Sequence, residues 1–248
     1  MACYGGAMIA CRTSYAMRLS KHTKRRSAGR RWRCLLGGAL LGLISVQAEE
    51  TRCSADNIVV HSPEPEGARG ICESARDAVA FLRDAGLDTS ARIEIHVVDR
   101  LPAGVEPSAA GCYVHPERRV YLLSWAGFEA LRGQAVTPLQ YRSLIAHEVA
   151  HAVAGCNFAV PKPTTAAQEY IAYVAMFSTM PAEARGRALE AFPGNGFDSE
   201  QQITTTLYLL APQWFGAEAY RHYLKPGNGQ AFLRKILAGE ALGEENVR

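Results

Sequence analysis

Hydrophobic residues recur along the first part of the chain with two different spacings, one helical and one extended. Residues 67–85 carry apolar side chains at helical spacing and are followed by Gly86, which predicts a helix that ends there. Residues 91–101 alternate apolar and polar positions and predict a strand. Two β-rich runs, 111–114 and 119–124, flank a polar turn and predict a hairpin.

The second part of the chain has helical spacing almost throughout. Helices are predicted over residues 138–154, 166–179, 199–210, 213–224 and 230–238, with a loop at "FPGNGFDSE". The order of elements predicts an α+β fold. In it, a small mixed sheet with a hairpin edge strand packs on the first of these helices, and a mostly helical C-terminal half follows.

Charge divides the chain into a leader and a body. Residues 1–48 hold nine Lys or Arg and no acidic residue, and residues 34–46 form a short apolar run that ends in "VQA" before Glu49. This pattern predicts an export signal over 1–48 and a single mature domain over 49–248, located in the periplasm or outside the cell. An uncleaved membrane anchor and a true start at Met17 both stay open.

The net charge of the body, residues 49–248, argues against a nucleic-acid partner. Without the leader, the remaining 18 basic and 24 acidic residues give a net charge of −6. Nucleic-acid binding needs clustered Lys and Arg, so we expect no nucleic-acid partner. A membrane contact is expected only if the leader is not cleaved.

Four of the seven cysteines lie in the predicted mature part: Cys53, Cys72, Cys112 and Cys156. An even number in an exported protein predicts two disulfides. Three pairings are possible. We favour Cys53–Cys72 with Cys112–Cys156, because each then ties an irregular segment to a neighbouring helix or strand.

The segment "HEVAH" lies within the predicted helix 138–154. Thr137, Pro138 and Gln140 predict its start as a capping box, and Gly155 predicts its end. His147 and His151 lie one turn apart on one face, where two imidazoles can bind one metal ion. Glu148 is rotated about 100° from His147, so its carboxylate can act as a base beside the ion.

"HEVAH" on a capped helix resembles the zincin superfamily of zinc metallopeptidases over roughly residues 92–180. The resemblance implies a sheet whose edge strand, here "RVYLLSW" (119–125), binds an extended peptide or protein substrate. It also implies one Zn²⁺ per chain with three protein ligands. The metzincin continuation fails, because Ala154 and Asn157 occupy its glycine and third-histidine positions, and the aspzincin pattern is absent.

The gluzincin-like branch takes its third ligand from the following helix, where the sequence offers Glu169. Thr165 and Gln168 predict a capping box at the start of that helix. In some gluzincins an Asp follows the glutamate by one turn. Tyr173 occupies that position here, so the contacts that support the zinc-binding histidine must differ.

The resemblance implies hydrolysis of peptide bonds with Glu148 as general base. A donor for the oxyanion is expected from the C-terminal helices, with candidates Tyr208, Tyr220, His222 and Tyr223. Among them we favour His222 as the second catalytic residue. Two alternatives stay open: a zincin-like binding module without turnover, and a peptidase anchored to the membrane by its leader.

Overall fold

The computed structural model of the protein describes residues 49–53 and 57–243, and one five-stranded mixed sheet lies at one side of it. The strands are β1 (Glu49–Arg52), β2 (Ile58–Ser62), β3 (Ile93–Val98), β4 (Gly111–Val114) and β5 (Arg119–Leu123). Their order in the sheet is β1-β2-β3-β5-β4. β2, β3 and β5 are parallel, while β1 and β4 pair antiparallel at the two edges. The predicted leader lies outside the described residues.

Helices pack on one face of this sheet, and further helices pack on these. They are α1 (Pro65–Asp84), α2 (Trp125–Arg132), α3 (Pro138–Asn157), α4 (Thr165–Thr179), α5 (Ala182–Glu190), α6 (Thr205–Leu210), α7 (Pro212–Leu224) and α8 (Gly229–Ala238). α1 packs on β2, and α3 packs on β3, β4 and β5. α4 packs on α3, and α7 packs on α4. The α+β class is confirmed, with a small mixed sheet and a mostly helical remainder.

The two faces of the sheet differ in polarity, because side chains alternate along each strand. The face towards the helices carries the buried residues Ile58, Val60, Ile93, Ile95, Val120 and Leu122. The opposite face carries Glu94, His96, Arg119 and Tyr121, all partly exposed. A sheet covered on one side favours this alternation of apolar and polar positions.

The predicted hairpin is confirmed, but the predicted edge strand is wrong. β4 and β5 pair antiparallel around a 3-10 turn at His115–Glu117. β5 also pairs with β3 through its other side, which leaves β4 as the strand at this edge of the sheet. The strand part of "RVYLLSW", residues 119–123, therefore lies inside the sheet.

The start of α3 follows the prediction and its end does not. The hydroxyl of Thr137 accepts a hydrogen bond from the Gln140 amide, and the Gln140 side chain bonds back to the Thr137 amide. The helix continues through Gly155 to Asn157. A Cβ on Gly155 would lie 3.0 Å from the ring of Tyr113, so this glycine provides space for β4.

Two other local predictions are corrected. Thr164, one residue earlier than predicted, caps α4 by accepting a hydrogen bond from the Ala167 amide, and Gln168 donates to the Pro163 carbonyl. The predicted helix 199–210 is a 3-10 turn at Glu200–Gln202 followed by α6. β1, β2, α2 and α5 were not predicted from the sequence.

One of the two predicted disulfides is present. Cys53 and Cys72 are bonded and tie the segment after β1 to α1. The predicted Cys112–Cys156 disulfide is wrong, since neither residue is in a disulfide. Gly111 and Tyr113 face α3, so Cys112 between them points to the opposite face of the sheet, away from Cys156. Across the described ranges, we find no helix with the length and apolar character of a membrane span.

Candidate metal centre

Three side chains from two packed helices converge at the centre of the molecule. α3 presents His147 and His151 from adjacent turns, and α4 presents Glu169. Both helices carry buried alanines near these residues, among them Ala150 on α3 and Ala172 on α4, which allow their backbones to approach closely. We call His147, His151 and Glu169 the inner triad.

The ligand atoms of the inner triad lie within a small volume. The two Nε2 atoms of His147 and His151 are 3.1 Å apart. One carboxylate oxygen of Glu169 lies 3.3 Å from the Nε2 of His147, and the other lies 3.6 Å from the Nε2 of His151. Each imidazole therefore directs the same ring nitrogen towards the carboxylate.

These distances fit the donor geometry of a tetrahedral metal ion. Two ligand atoms each about 2.1 Å from such an ion lie about 3.4 Å from one another. The three distances of 3.1, 3.3 and 3.6 Å span that value. Nitrogen and carboxylate donors are also the ligand types that such ions take. The inner triad could therefore hold a metal ion.

Burial determines the charges of the inner triad. Its side chains are almost fully buried, with residue exposures of 2% for His147, 7% for His151 and 3% for Glu169. Burial lowers the pKa of His147 to about 3 and that of His151 to about 4. Burial raises the pKa of Glu169 to about 7. At neutral pH the imidazoles are neutral and can donate their lone pairs to a cation.

Glu148, the residue between the two histidines, is also fully buried but faces the sheet. A Cβ built on Gly111 would lie 2.8 Å from the Cγ of Glu148, so this side chain packs directly against β4. Glu148 and the inner triad thus belong to one buried region between β4, α3 and α4. The glycine at position 111 is what makes room for the carboxylate.

Two tyrosines complete the surroundings of the inner triad. The ring of Tyr173 packs edge-on against His147, with 4.8 Å between ring centroids. Gly216 of α7 allows this, since a Cβ there would lie 2.2 Å from the Tyr173 ring. The phenol of Tyr208 on α6 interacts with the Glu169 carboxylate and opposes the rise in its pKa. The Nδ1 atom of His147 is buried and has no hydrogen-bond partner among the described residues.

The structure places the other predicted donors away from these contacts. The Nδ1 atom of His222 lies 2.8 Å from the hydroxyl of Tyr170, and its ring packs against Phe232. Tyr220 stacks on Phe177, and Tyr223 packs against Phe81. Tyr208, in contrast, interacts with Glu169 of the inner triad. The catalytic role of His222 stays a prediction.

Gly111 and Gly216 were not predicted, although both shape the site. Their role depends on which side chain faces them across the fold, and no local sequence pattern shows that. Tyr173 was noticed only as a departure from the expected Asp. Its ring contact with His147 explains how a different residue can support this ligand.

Comparisons with known proteins give one result at the level of the family. No curated protein matches the chain. A family model described as a family of unknown function matches residues 58–246, which include β2 to β5, all eight described helices and the inner triad. The chain therefore belongs to the family of unknown function DUF6639.

Proposed function

We propose that the chain is an exported, zincin-like zinc peptidase of the gluzincin-like type. In this proposal His147, His151 and Glu169 hold one Zn²⁺ per chain. The observation that supports it most strongly is the convergence of two imidazole nitrogens and the Glu169 carboxylate at distances of 3.1–3.6 Å, close to the spacing of tetrahedral donors. Two imidazoles and one carboxylate form a ligand set typical of catalytic zinc.

In this proposal the metal and Glu148 have separate roles in hydrolysis. A bound Zn²⁺ supplies a Lewis acid that polarises a carbonyl group and acidifies water. Glu148 accepts the proton of the attacking water and delivers it to the leaving amine. Glu148 belongs to a capped helix, and its side chain packs against Gly111. The carboxylate is therefore held in position before the reaction begins, which lowers the entropic cost of orienting it.

Tyr208 is our first candidate for the donor to the developing oxyanion. Its phenol interacts with Glu169, and the residue is fully buried. A phenol in such a low-dielectric site stabilises negative charge more strongly than it would in water. His222 is a weaker candidate, because its contacts are with Tyr170 and Phe232 rather than with the inner triad.

The substrate is expected beside β4. This strand forms one of the two edges of the described sheet, and its Gly111 lies next to the proposed base. A peptide in extended conformation along β4 would bring its backbone close to Glu148.

The test is Glu148→Gln in the purified chain, assayed with a peptide library with and without chelator. We expect unchanged zinc content by elemental analysis, an unchanged unfolding temperature and no hydrolysis. Glu117→Gln, in the exposed turn between β4 and β5, is the matched control and should cleave normally. If Glu148→Gln cleaved at the normal rate, the mechanism would be wrong.

The burial of the inner triad favours a second candidate function, a binding module stabilised by its metal. Structural zinc sites are closed, whereas catalytic sites keep an open position for water. Here all three ligands and Glu148 are buried. A chain that binds one equivalent of zinc, gains thermal stability from it and cleaves no peptide in the library would support this candidate.

Export is the part of the proposal that concerns location. The Cys53–Cys72 disulfide is compatible with an oxidising compartment. N-terminal sequencing of the mature protein tests the leader, which lies outside the described residues. Glu49 as the first residue would support cleavage and contradict a membrane anchor.

A further inference from the structure

A second group of two histidines and one glutamate lies on the opposite face of the sheet. The parallel pairing of β2 and β3 places His61 directly beside His96. Glu94 lies two residues before His96 on β3 and therefore on the same face. We call His61, His96 and Glu94 the outer triad. It shares no residue with the inner triad.

The side chains of the outer triad are in contact. The two imidazole rings stack with 4.3 Å between centroids and an angle of 17° between planes. The Nε2 atom of His96 lies 3.6 Å from a carboxylate oxygen of Glu94. One ligand atom from each residue can be chosen so that all three lie within 4.8 Å of one another.

Both histidines place their Nε2 atom in a buried position. Neither atom has a partner within hydrogen-bond distance among the described residues, although the Glu94 carboxylate lies 3.6 Å from that of His96. A buried polar atom without a partner has a cost that a ligand can remove. Two such atoms on adjacent strands, beside a carboxylate, form a donor set that a single cation could satisfy.

We propose that the outer triad is a second metal site, which binds a divalent cation with a preference for nitrogen ligands. Imidazole donors suit Cu²⁺, Ni²⁺ and Zn²⁺, and Cu²⁺ binds most tightly in that series. The ligand atoms lie within 4.8 Å, farther than the spacing of about 3.4 Å around a tetrahedral ion, so the rings must rotate slightly on binding. Their partial exposure leaves room for this rotation.

Two arginines oppose the binding of a cation at this site. The guanidinium of Arg92 lies 3.1 Å from one oxygen of Glu94, and that of Arg119 lies 3.3 Å from the other. They neutralise the carboxylate and repel a cation through space. The outer site therefore binds metal more weakly than a site with the same ligands and no arginine.

The number of ions bound tests the proposal directly. The purified chain is equilibrated with Cu²⁺ by dialysis, and bound copper is measured by elemental analysis. We expect His96→Ala and His61→Ala each to bind one ion fewer than the unchanged chain. His115→Ala, a substitution in the β4–β5 turn, is the control and should bind the same number. Equal copper content in His96→Ala and the unchanged chain overturns the proposal.

A variant of the inner triad distinguishes metal bound at the outer triad from metal bound at the inner triad. His151→Ala should keep the ion of the outer triad, and electron paramagnetic resonance of that Cu²⁺ should show coupling to two imidazole nitrogens. Adding His96→Ala to His151→Ala should abolish the two-nitrogen signal. Persistence of the signal in the double variant contradicts the assignment of these ligands.

Arg119→Gln provides a test in the opposite direction. Removing one positive charge at about 6 Å from a divalent ion should raise its affinity about threefold at physiological salt and about tenfold at low salt. Arg142→Gln is the matched control, since Arg142 forms a similar exposed ion pair with Asp77. An unchanged or lower affinity in Arg119→Gln, measured in the His151→Ala background, contradicts a cation site at Glu94.

Discussion

The inner and outer triads have the same composition, two histidines and one glutamate, in opposite surroundings. The inner triad comes from two packed helices and is almost fully buried, with its ligand atoms already 3.1–3.6 Å apart. The outer triad comes from two parallel strands, is partly exposed, and shares its carboxylate with two arginines. From this difference we expect that residue type defines which ions can bind, while burial and neighbouring charge define how tightly they bind.

The two carboxylates illustrate this point. Burial raises the pKa of Glu169 to about 7, and His151 and Tyr208 beside it offset only part of this rise. For Glu94, burial alone would raise the pKa, but hydrogen bonds and charge from Arg119 and Arg92 outweigh it and lower the pKa. A cation bound at the inner triad would compensate the buried negative charge of Glu169. A cation bound at the outer triad would compete with the positive charges of Arg92 and Arg119 for Glu94.

The largest expected effect is the stabilisation of the fold by metal at the inner triad. A metal at 100 times its dissociation constant stabilises the folded state by about 2.7 kcal/mol. For a domain of this size, that raises the unfolding temperature by roughly 5–11 °C. We expect this gain in the unchanged chain and in His96→Ala, and its loss in His151→Ala, by thermal unfolding with and without chelator.

This experiment can also contradict the expectation that the inner triad binds metal more tightly than the outer triad. A gain in stability that disappears in His96→Ala and persists in His151→Ala would show that the outer triad holds the tighter ion. The burial argument for the inner triad would then be wrong.

The second effect concerns the packing that positions Glu148. Gly111→Ala places a methyl group 2.8 Å from the Cγ of Glu148 and 3.1 Å from the Leu122 side chain. Such overpacking costs about 1–3 kcal/mol. We expect a lower unfolding temperature, reduced peptide hydrolysis and unchanged metal content. Gly70→Ala is the control, since a Cβ there meets nothing within 4 Å. Gly111→Ala with normal stability and normal hydrolysis would show that this contact is unimportant.

Features encoded within a few residues could be predicted from the sequence. The capping box at Thr137 and Gln140 fixes the start of α3, and the spacing of His147 and His151 fixes their common face. The following helix was also predictable, and with it the position of Glu169. These predictions succeeded because hydrogen bonds and side-chain directions within one helix depend on local spacing.

Features that depend on which elements meet in space could not be predicted in the same way. The expected edge strand was wrong because the sheet order places β5 between β3 and β4. The expected Cys112–Cys156 disulfide failed because Cys112 points away from α3. The outer triad could not be predicted, since the partner of His96, His61, lies on β2, a strand that was not predicted.

The third prediction concerns the pH dependence of metal binding at the inner triad. Glu169 must lose its proton to bind a metal, and its pKa is raised to about 7, so binding below pH 7 releases that proton. The apparent affinity of the inner triad should therefore rise about tenfold per pH unit up to pH 7 and level off above it. His151, with a pKa of about 4, adds no step in this range. Calorimetric titrations with Zn²⁺ in the His96→Ala background measure this dependence.

A variant of the same ligand checks the origin of the pH dependence. Glu169→Gln cannot release a proton, so its weaker binding should not change with pH between 5.5 and 8, a range of about 2.5 units around the raised pKa. A slope that persists in Glu169→Gln would assign the titration to another group.

The smallest expected effect distinguishes two buried tyrosines on neighbouring helices. Tyr208 interacts with the Glu169 carboxylate, whereas the hydroxyl of Tyr170 is 2.8 Å from His222. Each Phe substitution removes one buried hydrogen-bonding group, at a cost of about 1 kcal/mol. Tyr208→Phe should in addition weaken Zn²⁺ binding about fivefold at pH 6, because the pKa of Glu169 rises further without the phenol.

Tyr170→Phe is the matched control for this effect, since both side chains are fully buried. It should lower the unfolding temperature by a similar amount and leave the affinity for Zn²⁺ unchanged. Equal losses of affinity in the two variants would mean that metal binding responds to general destabilisation of the helical half. A loss confined to Tyr208→Phe would show that α6 reaches the inner triad through this one phenol. It would also make Tyr208, rather than His222, the residue to examine next for a role in hydrolysis.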